Sequence, residues 1–266
     1  MSEARPLIPP VLMLLIAGCS APANPSFPLT VSDAKDALRE MEAQPRPLAR
    51  PLVVLGGYHD LGIGPLVWRD HVRRWTTDDA KVIHVAFPFA RDFDECRRAV
   101  IAAVDRASPT DDPDATVEVD VVGASMGGLV GRYAAVTKPG QRRLRVARLF
   151  TISSPHRGAT MARLPALSRL HADMRAGSDF LRALEAAEAR TTADDYDLLP
   201  YVRLGDGVVG AANAAPVGVR PWWVANRPLQ PAHAAASLDP RVRADVARRL
   251  RGEEPFTKAP AAGFPG

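Results

Sequence analysis

Cysteine is almost absent from this chain: two residues, Cys19 and Cys96, in 266. A disulfide framework needs more, so a small stapled secreted fold is excluded. Lysine is scarce too, at Lys35, Lys81, Lys138 and Lys258, so nearly all of the 34 basic residues are arginine. Those arginines are scattered among 30 acids, and aromatics make up only 6%. There is no basic tract with interleaved aromatics, which argues against nucleic acid as a partner. The net charge of +4 is small for this length. No apolar run is long enough to cross a bilayer as a mature helix. H-E-x-x-H, C-x-x-C and P-loop patterns are missing, and no repeat of 20–50 residues is visible. Nothing points to a metal or a cofactor. What is present is ordinary for a globular domain: 47% hydrophobic and 24% charged residues, which exclude wholesale disorder. Proline is the exception, with 25 residues, about twice the usual share. Connections between elements are expected to be numerous and stiff.

The chain opens on a short polar stretch, Met1–Arg5, followed by the apolar run Leu7–Ala17. That run suits the core of a signal peptide. It ends in Ile16-Ala17-Gly18-Cys19, which resembles the bacterial lipobox, where cleavage precedes a cysteine that is then acylated with diacylglycerol. The resemblance implies a signal peptide over residues 1–18 and a membrane anchor at Cys19. It places the protein in a bacterial cell envelope, facing the periplasm or the exterior. Ala21–Thr30 is proline-rich and reads as a spacer. Ser32 is a candidate cap for a short helix with Ala34, Ala37, Leu38 and Met41 on one face. Residues 19–49 are therefore expected to be tether and short helix, 50–252 the folded domain, and 253–266 a disordered tail.

Within the domain, short buried runs alternate with helical patterns. Strands are expected at Leu52–Leu55, Val82–Ala86, Val117–Val122, Arg148–Ile152, Tyr201–Leu204 and Trp222–Val224. Helices are expected at Leu66–Trp75, Asp94–Ala107, Leu129–Val136 and Asp239–Leu250. The strands are apolar throughout rather than alternating. They therefore belong to a mostly parallel sheet with helices on both faces.

One motif carries chemistry. Gly123-Ala124-Ser125-Met126-Gly127 fits G-x-S-x-G, a strand-to-helix turn that exposes a serine. Glycine frequency alone produces the pattern in roughly one chain in ten of this length. Its context is more specific, because it follows a buried strand and opens a helix.

GASMGGLVGRYA together with Ser153-Ser154-Pro155-His156-Arg157-Gly158, Met174–Leu184 and Gly205-Asp206-Gly207-Val208-Val209 resembles the α/β-hydrolase superfamily, in its bacterial lipase and esterase branch. The resemblance covers most of residues 52–250. It implies an α/β-hydrolase fold with a helical lid over about residues 159–199. It also implies a Ser–acid–His order along the chain. His156, His171 and His233 follow Ser125. His233, between the last short strand and the final helix, holds the position of the family's base. His156 reads as a structural turn residue and His171 as a lid surface residue. Asp206, at a strand end between glycines, is preferred as the acid over Asp194, Asp195 and Asp197 in the lid. Asp239 reads as the cap of the last helix. Backbone amides of Tyr58 and Met126 are the expected oxyanion donors. Gly56 and Ala124 stand where the family commonly has histidine, which changes the lining of the site. Arg132 is expected to brace the helix behind the serine. The implied activity is hydrolysis of an ester or lipid by a monomer. Acyltransfer, thioester cleavage, lipid deacylation and a non-catalytic binding role are the alternatives.

Overall fold

The computed structural model describes residues 22–165, 168–189, 196–227, 229–260 and 263–265. The apolar run 7–17, Cys19, Leu167, Asp194 and Asp195 lie outside them. Among these described residues six strands form one sheet: β1 (Leu52–Leu55), β2 (Val82–Val85), β3 (Ala115–Ala124), β4 (Arg143–Ile152), β5 (Asp197–Arg203) and β6 (Trp222–Val224). Their order is β2-β1-β3-β4-β5-β6 and every neighbouring pair is parallel. Among the described residues eight α-helices accompany them: α1 (Val31–Ala43), α2 (Ile63–Trp75), α3 (Phe93–Ala107), α4 (Met126–Ala135), α5 (Arg169–Asp173), α6 (Asp179–Glu188), α7 (Ala232–Ala236) and α8 (Pro240–Leu250).

β1 shows why these short apolar runs become central strands. All four of its residues are buried. Val53 and Leu55 point to one face, into a core cluster with Cys96, Val100 and Val104 of α3 and Leu129 of α4. Leu52 and Val54 point to the other, against Trp68, Val72 and Trp75 of α2 and Val246 of α8. The period of two is still there, but both phases meet a helical layer, so neither reads as polar. The chain runs from β1 outward to β2, then returns past β1 to β3. Neighbouring β1 and β3 therefore continue into helices on opposite faces, and a crevice opens at their carboxyl ends.

Several boundaries differ from the sequence expectation. α1 is capped by Thr30, whose hydroxyl accepts from Asp33 N at 3.2 Å, not by Ser32. α4 starts directly after Ser125, three residues earlier than expected. β3 and β4 run to ten residues each, because their polar outer ends continue the ladder beyond the apolar stretch.

The spacer and tail readings are corrected where those residues are described. Asn24 Nδ2 donates to Trp223 O at 2.8 Å, and Phe27 packs edge-on to Tyr201 with ring centroids 6.3 Å apart. α1 buries Ala34 and Met41, and the Arg251 guanidinium donates to Gln44 O at 3.0 Å and Trp75 O at 3.1 Å. The folded unit thus begins well before Arg50. At the other end, Trp222 Nε1 donates to Lys258 O and Lys258 N to Ser26 O. Thr257 donates to buried Asp245 through N and Oγ1, at 2.8 and 2.9 Å. Asp245 is a carboxylate in the core, and a buried charge requires donors. Tyr201, Arg249 and the tail supply them.

Of the segment expected as a lid, residues 159–165, 168–189 and 196–199 are described. Leu170, Met174, Leu181 and Leu184 belong to the core cluster of α3 and α4, and Phe180 stacks on Phe93 at 3.9 Å. Their apolar faces pack against the domain.

His71 of α2 sits edge-on between Trp68 and Trp75, at 5.8 and 6.2 Å. Burial, with Arg243 and Arg74 nearby, pushes its pKa down to about 3. Below a pH of about 6.5 the unfolded chain binds a proton there that the folded chain refuses. Stability is therefore predicted to fall as pH drops from about 6.5 towards 3. His71→Phe should make urea-derived stability less steep by about 1.4 kcal/mol per pH unit across that window. An unchanged slope would contradict the assignment.

Candidate active site

The site is built around one strained residue. Ser125 joins β3 to α4 with φ 52° and ψ −124°, a conformation that costs a non-glycine residue about 1–3 kcal/mol. It is held there by Ser125 N donating to Ile152 O at 2.9 Å and Gly128 N donating to Ser125 O at 3.1 Å. The flanking glycines are steric necessities. A Cβ on Gly123 would lie 2.6 Å from the Gly127 carbonyl carbon. A Cβ on Gly127 would lie 2.5 Å from Leu55 O and 2.8 Å from Gly56 O. The turn is wedged between its own helix and β1, leaving no room for a methyl group.

Asp206 follows β5 in a tight loop entered through Gly205, whose φ is +78°. Asp206 Oδ1 accepts from Val208 N and Val209 N, both at 3.0 Å. Its Oδ2 lies 2.9 Å from His233 Nδ1. Burial alone would raise this carboxyl. The hydrogen bond and charge of His233, the Val209 amide and the nearby Ser153 hydroxyl overcome burial and hold it below the usual carboxylate value. His233 lies on α7, a five-residue helix, and its Nε2 is 3.1 Å from Ser125 Oγ. Three residues far apart in sequence thus share one chain of contacts. With Asp206 ionised and bonded to Nδ1, that nitrogen carries the proton and Nε2 faces the serine as acceptor.

The loop after β1 passes over the serine. A Cβ on Gly57 would lie 3.3 Å from Ser125 Cβ. Tyr58 follows, with its hydroxyl 2.8 Å from Ser168 Oγ and its ring 6.1 Å from that of His171. Met126 is the first residue of α4. Met126 thus follows Ser125 in the chain, and Gly57, the residue before Tyr58, lies against Ser125 across the crevice.

The other candidates fall elsewhere. His156 is fully buried, with Nδ1 3.0 Å from Arg132 Nη1 and Nε2 2.9 Å from Thr151 Oγ1. Arginine can only donate, so Nδ1 accepts and Nε2 donates to Thr151. Burial and the adjacent Arg132 push its pKa well down, so it stays neutral. Arg132 also pairs with Glu188 of α6, and Glu188 accepts from Tyr196. Asp239 caps α8, with Pro240 as the first helical residue, and accepts from Arg241. Asp197 is exposed at the start of β5. Sequence reasoning missed the Tyr58–Ser168 contact and the Glu188–Tyr196 part of the Arg132 network, because no local pattern marks such pairs. Among the described residues no group of His, Cys, Asp and Glu is gathered as for a metal ion.

A family model described as a PGAP1-like alpha/beta domain matches residues 98–191, which hold the serine turn, α4, β4, the SSPHRG turn and α6. Phospholipase PlaB from Legionella pneumophila, solved with thio-NAD, is similar in structure, with a TM-score of 0.53 and 14% identity. The match covers 76% of this chain and 59% of that one, so the chain spans little more than half of the phospholipase's length. A lipase from Bacillus licheniformis in its mature form matches with a TM-score of 0.46 and 15% identity over 67% of this chain and 86% of its own. RedJ-thioesterase from Streptomyces coelicolor matches with a TM-score of 0.44 and 18% identity, over 79% and 88%. No curated protein matches the chain in sequence. With its open parallel sheet and strained serine turn, the chain has the fold of the α/β-hydrolase superfamily.

Gly127→Ala is predicted to destabilise the protein by at least about 2 kcal/mol, as overpacking against backbone does. Chemical denaturation measures it. A variant of parental stability would mean that the serine turn has freedom its contacts deny.

Proposed function

We propose that the protein is a serine hydrolase of carboxylic esters. The observation that carries this reading is the position of His233, 3.1 Å from Ser125 Oγ and 2.9 Å from Asp206 Oδ2. A serine hydroxyl is a weak nucleophile until a base takes its proton. His233 Nε2 accepts that proton as Ser125 Oγ attacks the ester carbonyl. Asp206 keeps the proton of His233 on Nδ1 and stabilises the imidazolium that forms. The tetrahedral oxyanion is met by the amides of Met126 and Tyr58. The Met126 amide opens α4, so the helix dipole also favours negative charge there. His233 then gives its proton to the leaving alcohol, and an acyl-Ser125 ester remains. Water attacks that ester with His233 again as base, and the acid is released.

The sequence features of the first residues support a place at the bacterial cell envelope, with diacylglycerol on Cys19. Asn24 is already seated on β6, so the leash from Cys19 spans at most about 18 Å. Such an anchor holds the domain close to the membrane.

Two predictions test these readings. Ser125→Ala and His233→Ala should each abolish ester hydrolysis and leave the fold intact, and the double variant should lose no more, because nucleophile and base act as one unit. Asp206→Asn should lose about 10⁴-fold in kcat, by stabilising the wrong tautomer. A fluorophosphonate should label the parent protein and not Ser125→Ala. Parental turnover in His233→Ala would refute the assignment of the base. For the anchor, Cys19→Ala should abolish incorporation of labelled fatty acid in a bacterial host. Labelling that persists in that variant would rule out Cys19 as the acylated residue.

A further inference from the structure

Two guanidinium groups and an imidazole converge where α1, α2 and α8 meet, in the helical layer on the sheet face away from α3 and α4. Arg243 of α8 is half-buried. Its Nε donates to Ser237 O at 3.1 Å, and its guanidinium lies 5.4 Å from the centre of the Trp68 ring. Nη2 is buried with no hydrogen-bond partner, and Arg243 makes no ion pair among the described residues. The charge that acts on it has the same sign. Burial first, and then Arg74 of α2, push this guanidinium down to about 10. His71, three residues before Arg74, feels the same two cations. It is 7% exposed, and its Nε2 also has no partner among the described residues.

The fold treats its other buried arginines differently. Arg97 donates to the carbonyls of Tyr133, Val136 and Arg142, and Arg132 pairs with Glu188. A desolvated cation needs acceptors or a counter-charge, and Arg243 is given one carbonyl and a like-charged neighbour. These groups line a cavity of about 430 Å³. Four cations and two carboxylates belong to its wall. Asp36 is taken by Arg39, and Glu42 lies 3.9 Å from Arg74. Arg243 is left over, with Lys35, which is exposed on α1 and makes no ion pair among the described residues. Leu38, Leu238 and Pro240 supply an apolar part of the same wall.

We propose that this cavity binds the oxyanion of a small organic molecule, a carboxylate or a phosphate, on Arg243. The oxyanion accepts hydrogen bonds from the guanidinium, whose planar fork suits two oxygens at once. Its charge offsets the repulsion between Arg243 and Arg74, and Lys35 adds a second attraction. The carbon part of the molecule lies on Leu38, Leu238 and Pro240. The site stands whatever reaction the Ser125 site performs.

The test is calorimetric titration of the full chain with butyrate, butyl phosphate and inorganic phosphate in turn, and with butan-1-ol as the neutral control. At least one of the two organic anions should saturate a single site and bind more tightly than inorganic phosphate, and butan-1-ol should give no signal. Saturation by butyrate alone identifies a carboxylate site, and saturation by butyl phosphate alone a phosphate site. Arg243→Gln should weaken binding at least about tenfold, the loss of a charged hydrogen-bond donor. Lys35→Gln and Arg74→Gln should each weaken it about threefold, as suits more exposed cations. These two positions are exposed, so they report on the site even if Arg243→Gln fails to fold. Arg106→Gln, exposed on α3 across the sheet, should bind like the parent. The bound anion should also raise the Tm of the parent and not that of Arg243→Gln. No saturable binding of any anion below about 10 mM overturns the proposal. Undiminished binding by folded Arg243→Gln does so too. An equal loss in Arg106→Gln overturns it in favour of diffuse surface charge.

Discussion

Everything at the site depends on the backbone of Ser125 being held in a conformation that it would not choose. With φ at 52°, the serine leaves β3 and enters α4 with no intervening loop. The restraint comes from both sides: Ile152 O of β4 accepts a hydrogen bond from its amide, and the carbonyls of Leu55 and Gly56 crowd the helix that follows. Because β1 and β4 are the neighbours of β3, the sheet itself enforces the strain. A rigid sheet can hold a few kcal/mol of local strain that a loop could not, which keeps the hydroxyl fixed while other groups approach it.

The two histidines show how position divides roles. His156 is sealed beneath the SSPHRG turn, receives a hydrogen bond from Arg132 and gives one to Thr151. It cannot accept a second proton without facing a guanidinium at 3.0 Å. It therefore fixes structure, joining α4, β4 and, through Arg132 and Glu188, α6. His233 stands at the edge of the fold with its side chain 22% exposed, next to a carboxylate rather than a cation. Of the two rings, that of His233 is the one beside Ser125 Oγ, at 3.1 Å.

The opposite face of the sheet is closed by segments from both ends of the described chain. Asn24 and Phe27 reach β6 and β5, and Thr257 completes the donors around Asp245. Asp245 and the Tyr201 hydroxyl are polar groups inside an apolar layer, and neither is tolerable there without partners. The tail is thus part of the fold's polar accounting.

The sequence alone determined the local features. β1 and β6 lie where the apolar runs predicted, and the serine turn declares itself through glycines whose absent side chains are required by contact. Asp206 was picked out by its place at a strand end between glycines, and Gly205 there does take up a left-handed conformation. Tertiary structure decided the rest. Three histidines follow the serine in sequence, and only packing put His233 within reach while burying His156. Residues 253–260 look like a disordered tail because their partners, Asp245, Trp222 and Ser26, are distant in sequence. Leu170, Leu181 and Leu184 counted towards a lid in the sequence, which does not show the core cluster that they join. Local pattern reports conformation within a turn of helix or a length of strand, whereas which surfaces meet depends on the path of the whole chain through the sheet.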